Sequence, residues 1–287
     1  MKHFFYVIII FVSILFVYFI ITGFVNKYII LETNPQIKKA NVLIIGDSHT
    51  QRAINPDYFS SASNISQLAE PYVVSYWKLK KIFNFYHPDS VILGFGPHNL
   101  SELDDFRFST ERWSTEMFYR AYPIGNFENL RTIPIDYKLL YTTLFKNLCL
   151  FPKLHHNNYI GEYFPETLNK LTNNKETIKK HFFISDKKLY GISNTAVSYL
   201  DSIMILCENK NVELILINCP VHYTYKQNIP SFFSAYFEKQ KKHYTDKEIR
   251  IIDFSDLQLA DSCYSDADHL NFRGANIFTK HLIEQLR

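Results

Sequence analysis

Residues 42–49 read Val-Leu-Ile-Ile-Gly-Asp-Ser-His, four consecutive aliphatic residues that break at a glycine and pass into a polar turn. An uninterrupted β-branched and aliphatic run is what a parallel strand needs when both of its faces are covered. The same signature recurs downstream. Ser90-Val91-Ile92-Leu93 again ends in glycine, Val212 to Ile217 ends at Asn218-Cys219-Pro220, Arg250-Ile251-Ile252-Asp253 adds another strand, and Asn64-Ile65-Ser66 a weaker one. Helical spacing separates them. Tyr72, Tyr76, Leu79, Phe83 and Tyr86 recur at steps of four and three before His87-Pro88 stops the helix, and Ala196, Leu200, Ile203 and Cys207 repeat the pattern. A last helix, which Asn271 can cap, would bury Ala275, Phe278, Leu282 and Leu286. Strands alternating with helices predict an α/β fold with a parallel sheet covered on both faces, and such sheets hold ligands at the carboxyl ends of their strands.

Upstream of this core, Phe4 to Val25 carries no charged residue. About 22 residues at roughly 1.5 Å each span a hydrocarbon layer of about 30 Å, longer than the apolar stretch of about 7 to 15 residues in a cleaved signal peptide. The expected organisation is a single-pass membrane anchor over residues 1–25, a linker over 26–39, and one domain over 40–287. Lys2 flanks the apolar run on one side and Lys27, Lys38 and Lys39 on the other, so the distribution of basic residues leaves the orientation open. Between about Leu103 and Tyr190 the alternation is lost, which predicts a mostly helical or irregular insertion, residues 103–190, over the ligand-binding edge. The 287 residues, 47% hydrophobic and 21% charged, can bury a full core and exclude a disordered chain. Thirty-one basic against 28 acidic residues give a net charge of only +3, and their scatter argues against a nucleic-acid surface. Cys149, Cys207, Cys219 and Cys263 form no Cys-x-x-Cys pair, which argues against a zinc knuckle or a thioredoxin-like site.

The chain has eight glycines, of which Gly46, Gly94 and Gly96 fall in two of three polar segments at strand or helix ends and Gly274 lies just past the third. The segments are Gly46-Asp47-Ser48-His49-Thr50, Gly94-Phe95-Gly96-Pro97-His98-Asn99, and Ser265-Asp266-Ala267-Asp268-His269-Leu270-Asn271. A serine hydroxyl is a poor nucleophile at neutral pH and needs a neutral imidazole to take its proton, and the imidazole needs a carboxylate to fix its tautomer. His269 and Asp266, three residues apart before a helix, can form that second pair. Asp268 is a neighbouring carboxylate that Asp266 outranks, and His49 follows Ser48 on the first helical turn. The Gly-x-Ser-x-Gly elbow is not met, because Thr50 stands at its second glycine.

Together the segments resemble the SGNH or GDSL hydrolases, serine esterases whose Ser, Gly, Asn and His lie in four blocks along a flavodoxin-like sheet. The resemblance covers most of residues 40–287 outside the insertion and implies a three-layer α/β/α parallel sheet. It implies that Ser48 is the nucleophile and its N–H an oxyanion donor, that Asp266 and His269 complete the triad, and that Asn99 supplies an oxyanion-holding amide. The family writes Gly-x-Asn-Asp where this chain has Gly96-Pro97-His98-Asn99-Leu100. The second block normally carries a glycine N–H, but Asn64 to Ala69 has no glycine, so Ala69 or Ser66 would serve. His222, just past the fourth strand, is expected to contact substrate, whereas His155-His156 reads as surface.

The two end segments look most like SGNH domains of polysaccharide O-acetylation and deacetylation. This implies an O-acyl esterase or acyltransferase outside the cytoplasm, an acylated carbohydrate substrate, and a membrane acyl-donor protein as partner. No metal or organic cofactor is called for. One alternative is a membrane-anchored polysaccharide assembly protein without turnover. Another is a metallophosphoesterase, which Asp47-x-His49 and Gly96-Pro97-His98-Asn99 suggest but which lacks a late Gly-His-x-His segment.

Overall fold

The computed structural model describes residues 1–109, 112–130, 132–167 and 174–287, with only the backbone given for 174 and 175. Helix α1, Lys2–Glu32, is long and apolar enough to cross a membrane. Its side chains are mostly exposed, and only Thr22 and Asn26 are buried. Residues 26–32, expected as linker, are instead the last two turns of this helix, because Asn26 is enclosed by the body of the protein and Ile29, Ile30 and Leu31 sustain helical geometry.

Five parallel strands form the central sheet: β1 (Val42–Ile45), β2 (Ala62–Asn64), β3 (Ser90–Gly94), β6 (Glu213–Asn218) and β7 (Arg250–Asp253), in the order β2-β1-β3-β6-β7. Strand β2 closes at Asn64, earlier than the sequence suggests. There the Asn64 amide donates to Thr50 O and Ile54 O and its Oδ1 accepts the Ser66 N–H. A short antiparallel hairpin, β4 (Phe183–Ser185) and β5 (Lys188–Leu189), belongs to the insertion.

The pleat sorts the core into two layers. Leu43, Ile45, Val91, Leu93, Leu214 and Leu216 pack against α3 (Tyr72–Ile82), α7 (Asn194–Glu208) and α9 (Ser231–Thr245). Ile44, Ile92, Ile215 and Ile217 face the other way, onto α2 (Ser48–Ala53) and α10 (Phe272–Leu286). The result is a three-layer α/β/α sandwich. In α10, Ala275, Phe278 and Leu282 are buried and Leu286 half-buried, on the predicted face. Helix α9, which the sequence reading did not mark, buries Phe233, Phe237 and Tyr244 at the same helical spacing.

The insertion contributes α4 (Ser114–Ala121), α5 (Tyr137–Leu144) and α6 (Asn174–Phe182). Met117, Phe118, Ala121 and Leu140 pack on Val73, Val74 and Trp77 of α3. Ile178 and Phe182 pack on Phe233 and on Tyr225 of the short helix α8 (Tyr223–Lys226). The insertion thus rests on both sides of the strand ends. Much of its aromatic content fills its own core, where Phe108, Phe118 and Phe127 meet Trp77.

Candidate active site

Strands β1 and β3 approach so closely at their carboxyl ends that side chains do not fit. Gly46 has φ +139°, and a Cβ there would lie 2.8 Å from Thr50 Oγ1 and 3.2 Å from the Gly94 nitrogen. The chain therefore turns directly from β1 into α2, presenting Asp47 as cap and Ser48 as first helical residue. Asp47 Oδ1 accepts the His49 N–H at 2.9 Å, while Oδ2 accepts from His98 Nε2 at 2.8 Å and from the Asn99 amide at 2.9 Å. Burial opposes ionisation of Asp47, but the charges of His98 and His49 and these hydrogen bonds outweigh it and hold the carboxyl well below its usual range.

The third segment is set by its own turn. Asp266 Oδ1 accepts the backbone N–H groups of Asp268 and His269, and the Ser265 N–H donates to His269 O. Asn271 then caps α10 by accepting the N–H groups of Arg273 and Gly274. A Cβ on Gly274 would lie 2.1 Å from Cys263 O, so this helix start needs glycine to seat the turn.

These elements bring Ser48, His269 and Asp266 together. His269 Nδ1 donates to Asp266 Oδ1 at 2.9 Å and Oδ2 at 3.0 Å, which leaves Nε2 to accept from Ser48 Oγ at 2.7 Å. Burial opposes the charge on Asp266 as well. The His269 hydrogen bond and charge overcome it, and the carboxyl titrates below its ordinary value. Arg52 Nη1 lies 3.7 Å from Asp266 Oδ2. Asp268 is also near, 3.4 Å from His269 Nδ1 and 3.5 Å from His49 Nε2, but is almost wholly buried, and burial raises it to about 6.

Asn99 is not turned toward the cavity. Its Oδ1 accepts the Gly96 N–H and its amide bonds Asp47, so it braces the nucleophile turn, and His98 beside it faces the cavity instead. Of the two residues open for the second block, Ser66 is fully buried with its hydroxyl on Thr50, whereas Ala69 lines the cavity with Ser48. Ala69 adopts φ +57°, the left-handed conformation that a glycine would take without strain. Among the described residues, nothing accepts the Ala69 or Ser48 N–H, and both residues line the cavity. His222 lies outside it, capping α8 and bonded to Thr224 Oγ1 and Asp261.

The cavity, about 630 Å³, is roofed by the insertion through Asp104, Arg107, Trp113, Lys180 and His181. His181, which the sequence reading did not single out, stacks on His98 and bonds Tyr225 Oη at 2.6 Å. Its distance in the chain from every other segment hides it. His49 stacks on His98 with centroids 4.0 Å apart, and its buried Nε2 makes no hydrogen bond. Burial pushes both His49 and His181 below the usual imidazole range. Asp47, His49 and His98 offer three ligand atoms within 4.8 Å of one another, as do His49, Asp268 and His269, and imidazole with carboxylate suits zinc.

A family profile of uncharacterised function matches residues 153–287, the half that carries Asp266 and His269. No curated protein matches the chain. Among solved structures, the chain is similar to a candidate acylhydrolase from Bacteroides fragilis, at 12% identity and TM-score 0.39 over 89% of this chain and 92% of that one. It is also similar to a GDSL-like lipase from Bacteroides thetaiotaomicron, at 10% identity and TM-score 0.40 over 86% and 88%. A third is titled as a candidate platelet activating factor from Streptococcus pneumonia, at 11% identity and TM-score 0.38 over 98% of each chain.

Two expectations follow. A non-glycine residue held left-handed is strained by roughly 1–2 kcal/mol, so Ala69→Gly should raise the unfolding free energy by up to about 1 kcal/mol in urea titrations, part of the relief being lost to the freer unfolded chain. Asp268, raised by burial to about 6 from an ordinary 3.8, keeps its proton longer in the folded state, so stability falls as pH rises between about 4 and 6. Asp266 acts in the opposite sense, below pH 4. Asp268→Asn should therefore lessen the pH 4–6 decline in denaturation midpoint, to which Asp104 and Asp105, also raised by burial to about 6, contribute their own shares, and leave the acid limb intact.

Proposed function

We propose that the chain is a serine ester hydrolase that works through a Ser48 acyl-enzyme. One observation carries this: Ser48 Oγ bonds the free imidazole nitrogen of His269, whose other nitrogen bonds Asp266. In this reading Ser48 Oγ attacks the ester carbonyl while its proton passes to His269 Nε2. The tetrahedral oxyanion is held by the Ser48 and Ala69 N–H groups, and each such donor contributes roughly 10²- to 10³-fold in rate. Collapse expels the alcohol, protonated by His269, and leaves the acyl ester on Ser48. A second hydroxyl, from water or from a sugar, then gives its proton to His269 and takes the acyl group, and His269 returns the proton to Ser48 Oγ as the acyl–oxygen bond breaks. Asn99 and His98 hold Asp47, and Asp47 holds the turn that aims Ser48.

The substrate we propose is an O-acylated carbohydrate of the cell envelope, with the domain outside the cytoplasm. The cavity lining favours it over a long acyl chain. Arg52, Asp104, Arg107 and Lys180 make the lining charged and polar, with the ring of Trp113 beside them and few aliphatic surfaces. A membrane acyl-donor protein would be the partner if transfer rather than hydrolysis completes the cycle. The assembled proton relay favours catalysis over a purely structural assembly role.

The two imidazole and carboxylate clusters support a second reading, a metal-dependent phosphoesterase. The readings separate in one assay. On p-nitrophenyl acetate, Ser48→Ala should lower kcat/KM by about 10³-fold or more and Asp266→Asn by up to about 10⁴-fold. Asp268→Asn should stay within about tenfold and a chelator should change nothing. Retained esterase activity in Ser48→Ala would sink the serine reading, and loss to a chelator would favour the metal one.

A further inference from the structure

The end of α5 and the turn after it touch α1 deep within its apolar length. Asn26, fully buried, donates to Leu148 O at 2.7 Å and Phe151 O at 2.8 Å, and its Oδ1 accepts the Lys153 N–H. Eight residues nearer the N-terminus, Tyr18 Oη donates to Leu150 O at 2.8 Å, and Phe19 meets the ring of Phe145 edge-on with centroids 5.2 Å apart. At roughly 1.5 Å per residue the contact runs about 12 Å along the helix. It lies largely inside the uncharged stretch Phe4–Val25, so whatever surrounds α1 at Tyr18 also surrounds residues 145–151.

The polar bookkeeping of this segment suits a medium without water. A helix end leaves carbonyls without helical partners, and in hydrocarbon each must find one within the protein. Here the carbonyls of Leu148, Leu150 and Phe151 are taken by side chains of α1. The outward face is the reverse of a wet loop: Tyr137, Tyr141, Phe145, Phe151 and Leu154 are exposed, Phe151 to 69% and Leu154 to 90%. Exposed Lys138 and Lys146 complete the aromatic and basic mixture of a helix lying in a membrane interface.

We propose that residues 137–154 are seated in the lipid bilayer against α1, as a second membrane contact of the chain. This rests on reading α1 as the membrane span and is independent of the role of Ser48. A second cavity of about 550 Å³ then lies beside the headgroups. It is lined by Gln36, four residues beyond α1, and by Arg120, His155 and Asn157, and it shares Leu68 with the active-site cavity.

The test places the photoreactive residue p-benzoylphenylalanine at Phe151, at Phe11 in α1, or at Phe232, an exposed position on α9. The full-length protein is reconstituted in vesicles of phosphatidylcholine and phosphatidylglycerol, irradiated, and searched for lipid adducts by mass spectrometry. Adducts at Phe11 and Phe151 with none at Phe232 are expected. An adduct at Phe11 without one at Phe151 overturns the proposal and leaves the anchor standing. None at either overturns both, and equal labelling at Phe232 overturns the claim that this segment is specifically seated.

Discussion

Asp47 receives hydrogen bonds from three directions, the α2 backbone, His98 and Asn99, and through them one buried carboxylate joins the end of β1 to the end of β3. A buried anion is costly unless it is paired and bonded, and here its partners compensate it. The glycines make the junction possible: Gly46 turns without a side chain and Gly94 leaves room for the Thr50 side chain of α2. Ser48 is aimed by this junction. The opposite wall, the Asp266 to Asn271 turn, is fixed separately by Asx bonds and by Gly274 against Cys263, so Ser48 and His269 are each set by backbone.

That division explains what could be read from residues 40–287 alone. Strands β1, β3 and β6 are legible because strands buried on both faces write themselves as continuous aliphatic runs, as in Val42 to Ile45, and the half-buried edge strand β7 shows itself by its short Ile251-Ile252 pair. The pairing of Ser48 with His269 and Asp266 was legible because its segments sit at strand or helix ends that the topology must bring to one edge. Asn99 was misplaced for a local reason. Its segment forms a tight 3-10 turn, Pro97–Leu100, that folds the amide back onto Gly96 and Asp47 and sends His98 outward. His222 was misplaced because a residue just past a strand can cap the next helix as readily as face a ligand. The choice of Ala69 over Ser66 depends on a positive φ that no alanine announces in a sequence.

The insertion carries what the alternation of strands and helices leaves blank. It closes the cavity with Arg107, Trp113, Lys180 and His181, and its far end reaches α1 through Asn26 and Tyr18. Asn26 stood in an expected linker. Its burial binds the apolar helix to the same subdomain that roofs the Ser48 cavity, so one structural element touches both.

The central claim is that Ser48 is a nucleophile activated by His269, and covalent trapping tests it most directly. Full-length protein treated with a fluorophosphonate and mapped by peptide mass spectrometry should carry the adduct on Ser48, and His269→Ala should label far more slowly. Folded protein that stays unlabelled at Ser48, or that labels equally fast without His269, would contradict the account.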